Sequence, residues 1–213
     1  MITLDEILKS VNSYTDLEYS SPTGTELTTR TNFANQAVRE AADSYRFQVF
    51  NVDYSALATC ATFTLPTNFR ELTQSPKVLN SVGEYDEYKL IDPEDKYSYV
   101  PDEKFSYVLG NPAGGYNLIL NGLSSSASLS INYQRYPSGF ATITDKCELP
   151  DDEYVKQKVI SFVLQSRRDD RFTYVNAEAN QKLANMIGKE ARRPIGDNQT
   201  KQTRTYQNFT IGE

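Results

Sequence analysis

Two acidic runs set carboxylates side by side in this chain: Asp92-Pro93-Glu94-Asp95 and Asp151-Asp152-Glu153. Paired carboxylates can divide acid and base roles when their surroundings push their pKa values apart. Each run also has a simpler reading, the first as a turn around Pro93 and the second as the acidic N-terminus of a helix. Neither has the loop spacing of an EF-hand. The chain has no histidine, which removes Ser-His-Asp and Cys-His catalysis and every His-bearing metal site. Cys60 and Cys147 form no CxxC pair. They read as small buried or half-buried side chains, with a disulfide between them as the minority alternative. Gly114-Gly115 lacks the GxGxxG spacing and no Lys-Ser or Lys-Thr follows it, so no phosphate-cradling loop is present. No constellation converges, and the expectation is a protein that is not an enzyme, with no catalytic residue, metal or cofactor.

The other chemistry-bearing residues are tyrosines. There are 15 of them and no tryptophan. A tyrosine joins a large apolar ring to a polar tip, which suits surfaces dry on one side and wet on the other, subunit interfaces among them. Half-buried strands use tyrosine too. Tyr97, Tyr99, Tyr107 and Tyr116 are candidates for stacking on sugars, in a glycan-binding module. Ordinary sheet and interface packing is the favoured reading, because the ring best suited to such stacking is missing.

Charge points away from nucleic acid. The net charge is −6, whereas phosphate neutralisation needs a surplus of Lys and Arg. Residues 1–150 carry 11 basic and 19 acidic side chains, and residues 151–213 carry 11 and 9. The C-terminal third therefore offers a different surface. The N-terminus has neither a basic nor an apolar leader segment, and no apolar run is long enough to cross a bilayer. The chain is expected to be made and used in the cytosol.

These residues need elements to hold them. Thr3 and Glu6 fit a capping box, after which Leu4, Ile7, Leu8 and Val11 share a helical face. After the loop Ser20-Ser21-Pro22-Thr23-Gly24, Thr25 is placed to cap a second helix with Leu27, Ala34, Val38, Ala41 and Tyr45 along one stripe. Ala37 and Ala41 are small enough to admit another helix. Ala61, Phe63 and Leu65 then alternate with threonines at strand period. Leu118–Leu120 and Leu129–Tyr133 flank a Gly/Ser-rich loop and read as antiparallel partners, and Tyr107–Leu109 precedes a turn at Gly110–Gly115. Helical period returns after Pro150. Asp151 or Asp152 can cap a third helix with Val155, Val159, Phe162, Val163 and Ser166 on its face. A break at Arg168–Asp170 leads to a fourth, carrying Phe172, Val175, Ala179, Leu183, Met186 and Ile187 and stopped by Pro194.

The order helix–helix, strands, helix–helix predicts an α+β chain: a helical bundle built from N- and C-terminal helices, with an inserted antiparallel β lobe and an extended C-terminal arm. The expected divisions are 1–58 and 151–193 for the two parts of the helical lobe, 59–150 for the β lobe and 194–213 for the arm. The arm body, residues 196–203, is too polar to offset its own ordering. Its end carries Tyr206, Phe209 and Ile211, with Phe209 and Ile211 two apart as in an added strand or a groove anchor. Arg192, Arg193, Lys201 and Arg204 could pair with acidic residues of a partner. A chain end with incidental aromatics is the alternative.

Several local phrases resemble those of the head-to-tail adaptors of tailed bacteriophages, the connector or tail tubular protein A-like family. Leu65-Pro66-Thr67-Asn68-Phe69-Arg70-Glu71-Leu72 looks like the family's LP-x-x-F-x-x-L element after the first strand. Ile131–Pro137 looks like its Y-x-x-x-P strand end, and Asp145–Tyr154 like its D-x-x-x-LP-x-x-Y entry to the third helix, with one more residue here before the tyrosine. With the two N-terminal helices, the likeness spans residues 1–193, and it carries no catalytic residue. It implies a structural virion protein in the neck, assembled in the host cytoplasm. It further implies a homo-oligomeric ring of twelve copies that binds the portal protein and the tail or stopper proteins. Packaged DNA would pass through its channel without sequence-specific binding, and no membrane would be involved. In this setting the arm would dock on the portal through the seven residues just named. A stopper or tail-completion subunit is the alternative within the neck, and a glycan-binding module the remote one.

Overall fold

The computed structural model describes residues 2–58, 61–100, 102–123 and 126–192. The protein is mixed α+β, with four α-helices and two sheets among the described residues. Helix α1 (Leu4–Thr15) begins with the expected capping box: Thr3 Oγ1 accepts from the Glu6 amide at 3.3 Å and Glu6 Oε2 from the Thr3 amide at 2.9 Å. Two orphan donors are satisfied reciprocally. Helix α2 (Gly24–Ser44) starts two residues ahead of expectation. Thr23, not Thr25, is its N-cap, and the Thr23 side chain makes no capping bond. Gly24, at φ +57°, is itself the first helical residue, a conformation glycine adopts without Cβ strain. Helix α3 (Asp152–Ser166) is capped by Asp151, whose carboxylate accepts from the Glu153 amide at 3.1 Å. Helix α4 (Phe172–Ala191) follows the break at Arg168–Asp170, where Arg168 turns into the left-handed region at φ 57°.

One buried cluster draws on all four helices. Ile7, Leu8 and Val11 of α1, Ala37, Val38 and Ala41 of α2, Val155, Val159 and Val163 of α3, and Val175 and Met186 of α4 are its members. Helix α3 packs against α1, α2 and α4, and it is buried on more sides than the single predicted face: Tyr154, Ile160 and Leu164 are also inside, while Ser166 is exposed. The small Ala37 and Ala41 let α3 come close to α2, and Phe33 meets Phe162 with ring centroids 5.5 Å apart.

The strands are β1 (Asn51–Ala58), β2 (Thr62–Thr64), β3 (Phe69–Leu72), β4 (Lys77–Leu79), β5 (Tyr85–Glu87), β6 (Lys89–Leu90), β7 (Phe105–Asn111), β8 (Gly115–Leu120) and β9 (Ala127–Arg135). One sheet has the order β1-β9-β4-β5, with β3 also on β9, and the other β2-β8-β7-β6. Leu65, Phe69, Val78, Leu118, Leu129 and Ile131 are among the residues of a second core between them.

The strand region departs from expectation in four ways. Residues 51–58, assigned to the helical part, form β1: Val52, Tyr54, Ala56 and Ala58 alternate with Asn51, Asp53, Ser55 and Leu57, which is strand period. Leu118–Leu120 and Leu129–Tyr133 are not partners. Leu118 pairs with Val108 and Phe63, and Leu129 with Ala56 and Val78, so the intervening connection crosses between sheets. The region is not wholly antiparallel, since β6 runs parallel to β7. Finally, Phe140, Cys147 and Leu149, placed in the β lobe, pack into the helical core. The Gly110–Gly115 turn does join an antiparallel hairpin, β7 to β8.

The strand region leaves the helices through β1 and returns through β9, and these two are paired without interruption from Asn51↔Gln134 to Ala58↔Ala127. An antiparallel stem thus carries both sheets.

Candidate functional site

At the root of the stem, polar contacts tie the sheets to the helices. Gln134 of β9, 1% exposed, donates its amide to the Phe47 carbonyl at 3.1 Å. Arg135 lies over the Phe50 ring at 5.4 Å and pairs with Glu148 at 2.9 Å. Arg70 of β3 reaches the last turn of α2, donating to the Ala42 carbonyl and, at 3.4 Å, to that of Asp43. Helix α2 has no basic residue of its own there, so β3 supplies the cation that suits a helix C-terminus.

The residues that carry the family resemblance sit at this root and in the two cores. Leu65, Phe69 and Leu72 are buried, as are Tyr133, Leu149 and Tyr154. Tyr133 donates its hydroxyl to Asn68 at 3.1 Å. Each has a packing role that would suit any protein of this architecture.

A second cluster closes one end of the helices. Asp16, at the end of α1, accepts from Arg167 at 2.7 Å and from Arg30 at 2.8 Å, and Glu26 pairs with Arg30 and, at 3.7 Å, with Arg167. Arg30 is 2% exposed, and its Nη1 meets no hydrogen-bond partner among the described residues. The Arg167 guanidinium, with help from Arg30 and Thr15, holds the Asp16 carboxyl far below the usual carboxylate range. A groove of about 360 Å³ beside it is lined by Thr25, Thr29, Arg30, Phe33, Val163 and Arg167, among others. Two carboxylates already answer the two guanidiniums, so the groove offers no net charge to an anion. Sequence reading missed this cluster because its members lie up to 151 residues apart.

Of the four candidate sugar-stacking tyrosines, three come together. Tyr99 packs on Phe105 at 5.3 Å, Phe105 stacks on Tyr107 at 6.3 Å, and Tyr97 stands exposed nearby. Lysines occupy these rings: Lys89 sits 4.9 Å from the Tyr99 centroid, and Lys96 lies 4.8 Å from that of Tyr97 and 6.0 Å from that of Tyr107. A ring face covered by an ammonium is not open to a sugar. Tyr116 lies apart, edge-on against Phe69 at the sheet core.

The two acidic runs stay separate in role. Asp92 precedes a 3-10 turn, Pro93–Ser98, in which the Asp95 amide bonds the Asp92 carbonyl at 3.0 Å. Asp151 caps α3. Among the described residues no group of three or more His, Cys, Asp or Glu is placed to hold a metal ion, and no helix is long and apolar enough to cross a membrane. Cys147 is buried and its thiol is pushed up to about 11, chiefly by burial. Cys60 lies outside the described residues, so the alternative disulfide does too.

Of the seven proposed docking residues, only Arg192 is described. It is exposed and ends α4, its amide bonding the Lys189 carbonyl at 3.3 Å. Arg193, Lys201, Arg204, Tyr206, Phe209 and Ile211 lie outside the described residues. The last turn of α4 meets the 3-10 turn Gln48–Phe50 that precedes β1: Glu190 accepts from the Gln48 amide at 3.1 Å. No model of a known protein family matches the chain, and no curated protein matches it either.

Proposed function

We propose that this chain is a structural subunit of a tailed-phage neck, the head-to-tail adaptor, and not an enzyme. In this reading the four helices act as a bundle that packs against neighbouring copies in a ring, of twelve by the family resemblance. The two-sheet lobe faces the tail, and residues 194–213, with Arg192 and Arg193, reach the portal. The observation that carries the reading is the stem. Both sheets hang from the helices by one antiparallel pair, β1 and β9, so a compact body and a projecting lobe can meet different neighbours. The order of the sequence phrases supports it. The acidic balance of residues 1–150 would keep a channel wall from gripping phosphate, so DNA could slide.

The test is co-sedimentation of the purified chain with portal rings, followed by micrographs of the mixture. Rings of this chain on the portal are expected. A chain that stays a compact monomer and never co-sediments overturns the reading. In cross-linking, contacts from the helices to the portal support the adaptor, whereas contacts to the tail tube make it a stopper.

A further inference from the structure

Strand β1 is an edge of its sheet. Among the described residues it pairs with β9 alone. Every second residue therefore turns its N–H and C=O away from β9. Edges of this kind are normally blunted by proline, lysine, a bulge or very short length. Here β1 has eight residues, Asp53 as its only charge, no proline and no break in register. Apolar side chains are also left partly bare on both faces. Tyr54, in the core-facing row with Val52 and Ala58, is 37% exposed, and Leu57, on the other face, is 61% exposed.

We propose that residues 206–211 of this same chain, Tyr206-Gln207-Asn208-Phe209-Thr210-Ile211, close that edge as an added antiparallel strand. Four observations carry it. The described chain stops two residues after Glu190, which accepts from the Gln48 amide three residues before β1. Residues 193–205 reach about 43 Å at full stretch, and β1 is about 26 Å long, so the chain can travel to the far end and return. The segment has no proline and no charge, and its tyrosine, phenylalanine, threonine and isoleucine suit a strand. One antiparallel register satisfies both faces at once. Tyr206 opposite Leu57 sets Phe209 opposite Tyr54 and Ile211 opposite Val52. Aromatic then meets aromatic on the core side, and the bare Leu57 is covered outside.

The inference concerns the free chain and stands apart from the assembly reading. In an assembled neck the same residues would have to leave the edge before reaching another partner. Closing the edge also protects the free chain from edge-to-edge pairing.

The experiment is hydrogen exchange across residues 51–58 in three proteins: the full chain, a chain ending at Pro194, and the full-length double variant Phe209→Asp, Ile211→Asp. Exchange in β1 is expected to be about tenfold or more slower in the full chain than in the other two, with α3 unchanged in all three. Equal exchange in all three overturns the proposal. So does protection that appears only as protein concentration rises together with a larger species in sedimentation, because the added strand then comes from another copy. Should the shortened chain fail to fold, the double variant alone decides.

Discussion

Arg70 in β3 donates its guanidinium to the backbone carbonyl of Ala42 in the last turn of α2. One side chain of the strand region thus finishes a helix that the sequence leaves without a local cation. The same guanidinium reaches the Asp43 carbonyl at 3.4 Å.

Replacing Arg70 by Met should leave those helix-end carbonyls unpartnered and cost about 1.5–3 kcal/mol, the range for hydrogen bonds to a charged group. Arg70→Lys should fall between, because an ammonium cannot reproduce the planar fork. The urea midpoint measures both. A Met variant as stable as the parent would show that water caps α2 equally well.

Asp16 should make stability depend on acid. Its carboxyl is held well below its ordinary value of 3.8, by Arg167 first and then by Arg30. The folded form therefore binds that proton less readily than the unfolded form. The contribution is present at neutral pH and is lost as pH falls below about 3.8 through the lower folded value. Asp16→Asn should reduce stability at pH 7, and its gap to the parent should narrow steadily as pH falls below about 3.8, as followed by denaturant midpoints. Parallel curves would remove Asp16 from the acid response.

Cys147 should be inert in the native protein. Burial pushes its thiol up to about 11, and the reactive species is the thiolate. In a Cys60→Ser background, a chromogenic disulfide reagent at pH 8 should find no thiol until denaturant is added, and then one per chain. Rapid native labelling would show that the helical core opens around residue 147.

Gly110 should tolerate no side chain. Its φ is +137°, and a Cβ there would fall 2.1 Å from the Gly115 carbonyl oxygen, backbone against backbone. Gly110→Ala should cost about 3 kcal/mol or more, the upper end for local strain. Gly122→Ala, at φ +79° but facing open space, should cost only about 1–2 kcal/mol. Thermal or urea denaturation of the pair separates clash from φ strain.

Much of the local structure was legible in the sequence because its causes are local. Thr3 and Glu6 are three residues apart, so the capping box and the face of Leu4, Ile7, Leu8 and Val11 could be named directly. The run Gly110–Gly115 permits few conformations other than a tight turn, and β7 and β8 pair around it. The starts of α3 and α4 were likewise marked by Asp151 and the Arg168–Asp170 break. Strand β1 was readable too. Its alternation of Val52, Tyr54 and Ala56 with Asn51, Asp53 and Ser55 was overlooked because it follows directly on a helical stretch.

Pairing was decided only by the tertiary structure. Leu118–Leu120 and Leu129–Tyr133 looked like a hairpin, since each alternates or runs apolar and a Gly/Ser loop joins them. That pattern says a strand has an apolar face, not which strand will cover it. The second core is built between two sheets, and sending β8 and β9 to different sheets places Leu118 and Leu120 across from Leu129 and Ile131. Arg30 is the sharpest case. In sequence it is one more charge on a helix, better placed in water. It is buried because Asp16 and Glu26 stand ready to neutralise it. Glu26 lies one turn away on α2 itself, but Asp16 reaches Arg30 only once α1 has packed against α2, and a charge leaves water only where opposite charge and hydrogen bonds wait for it.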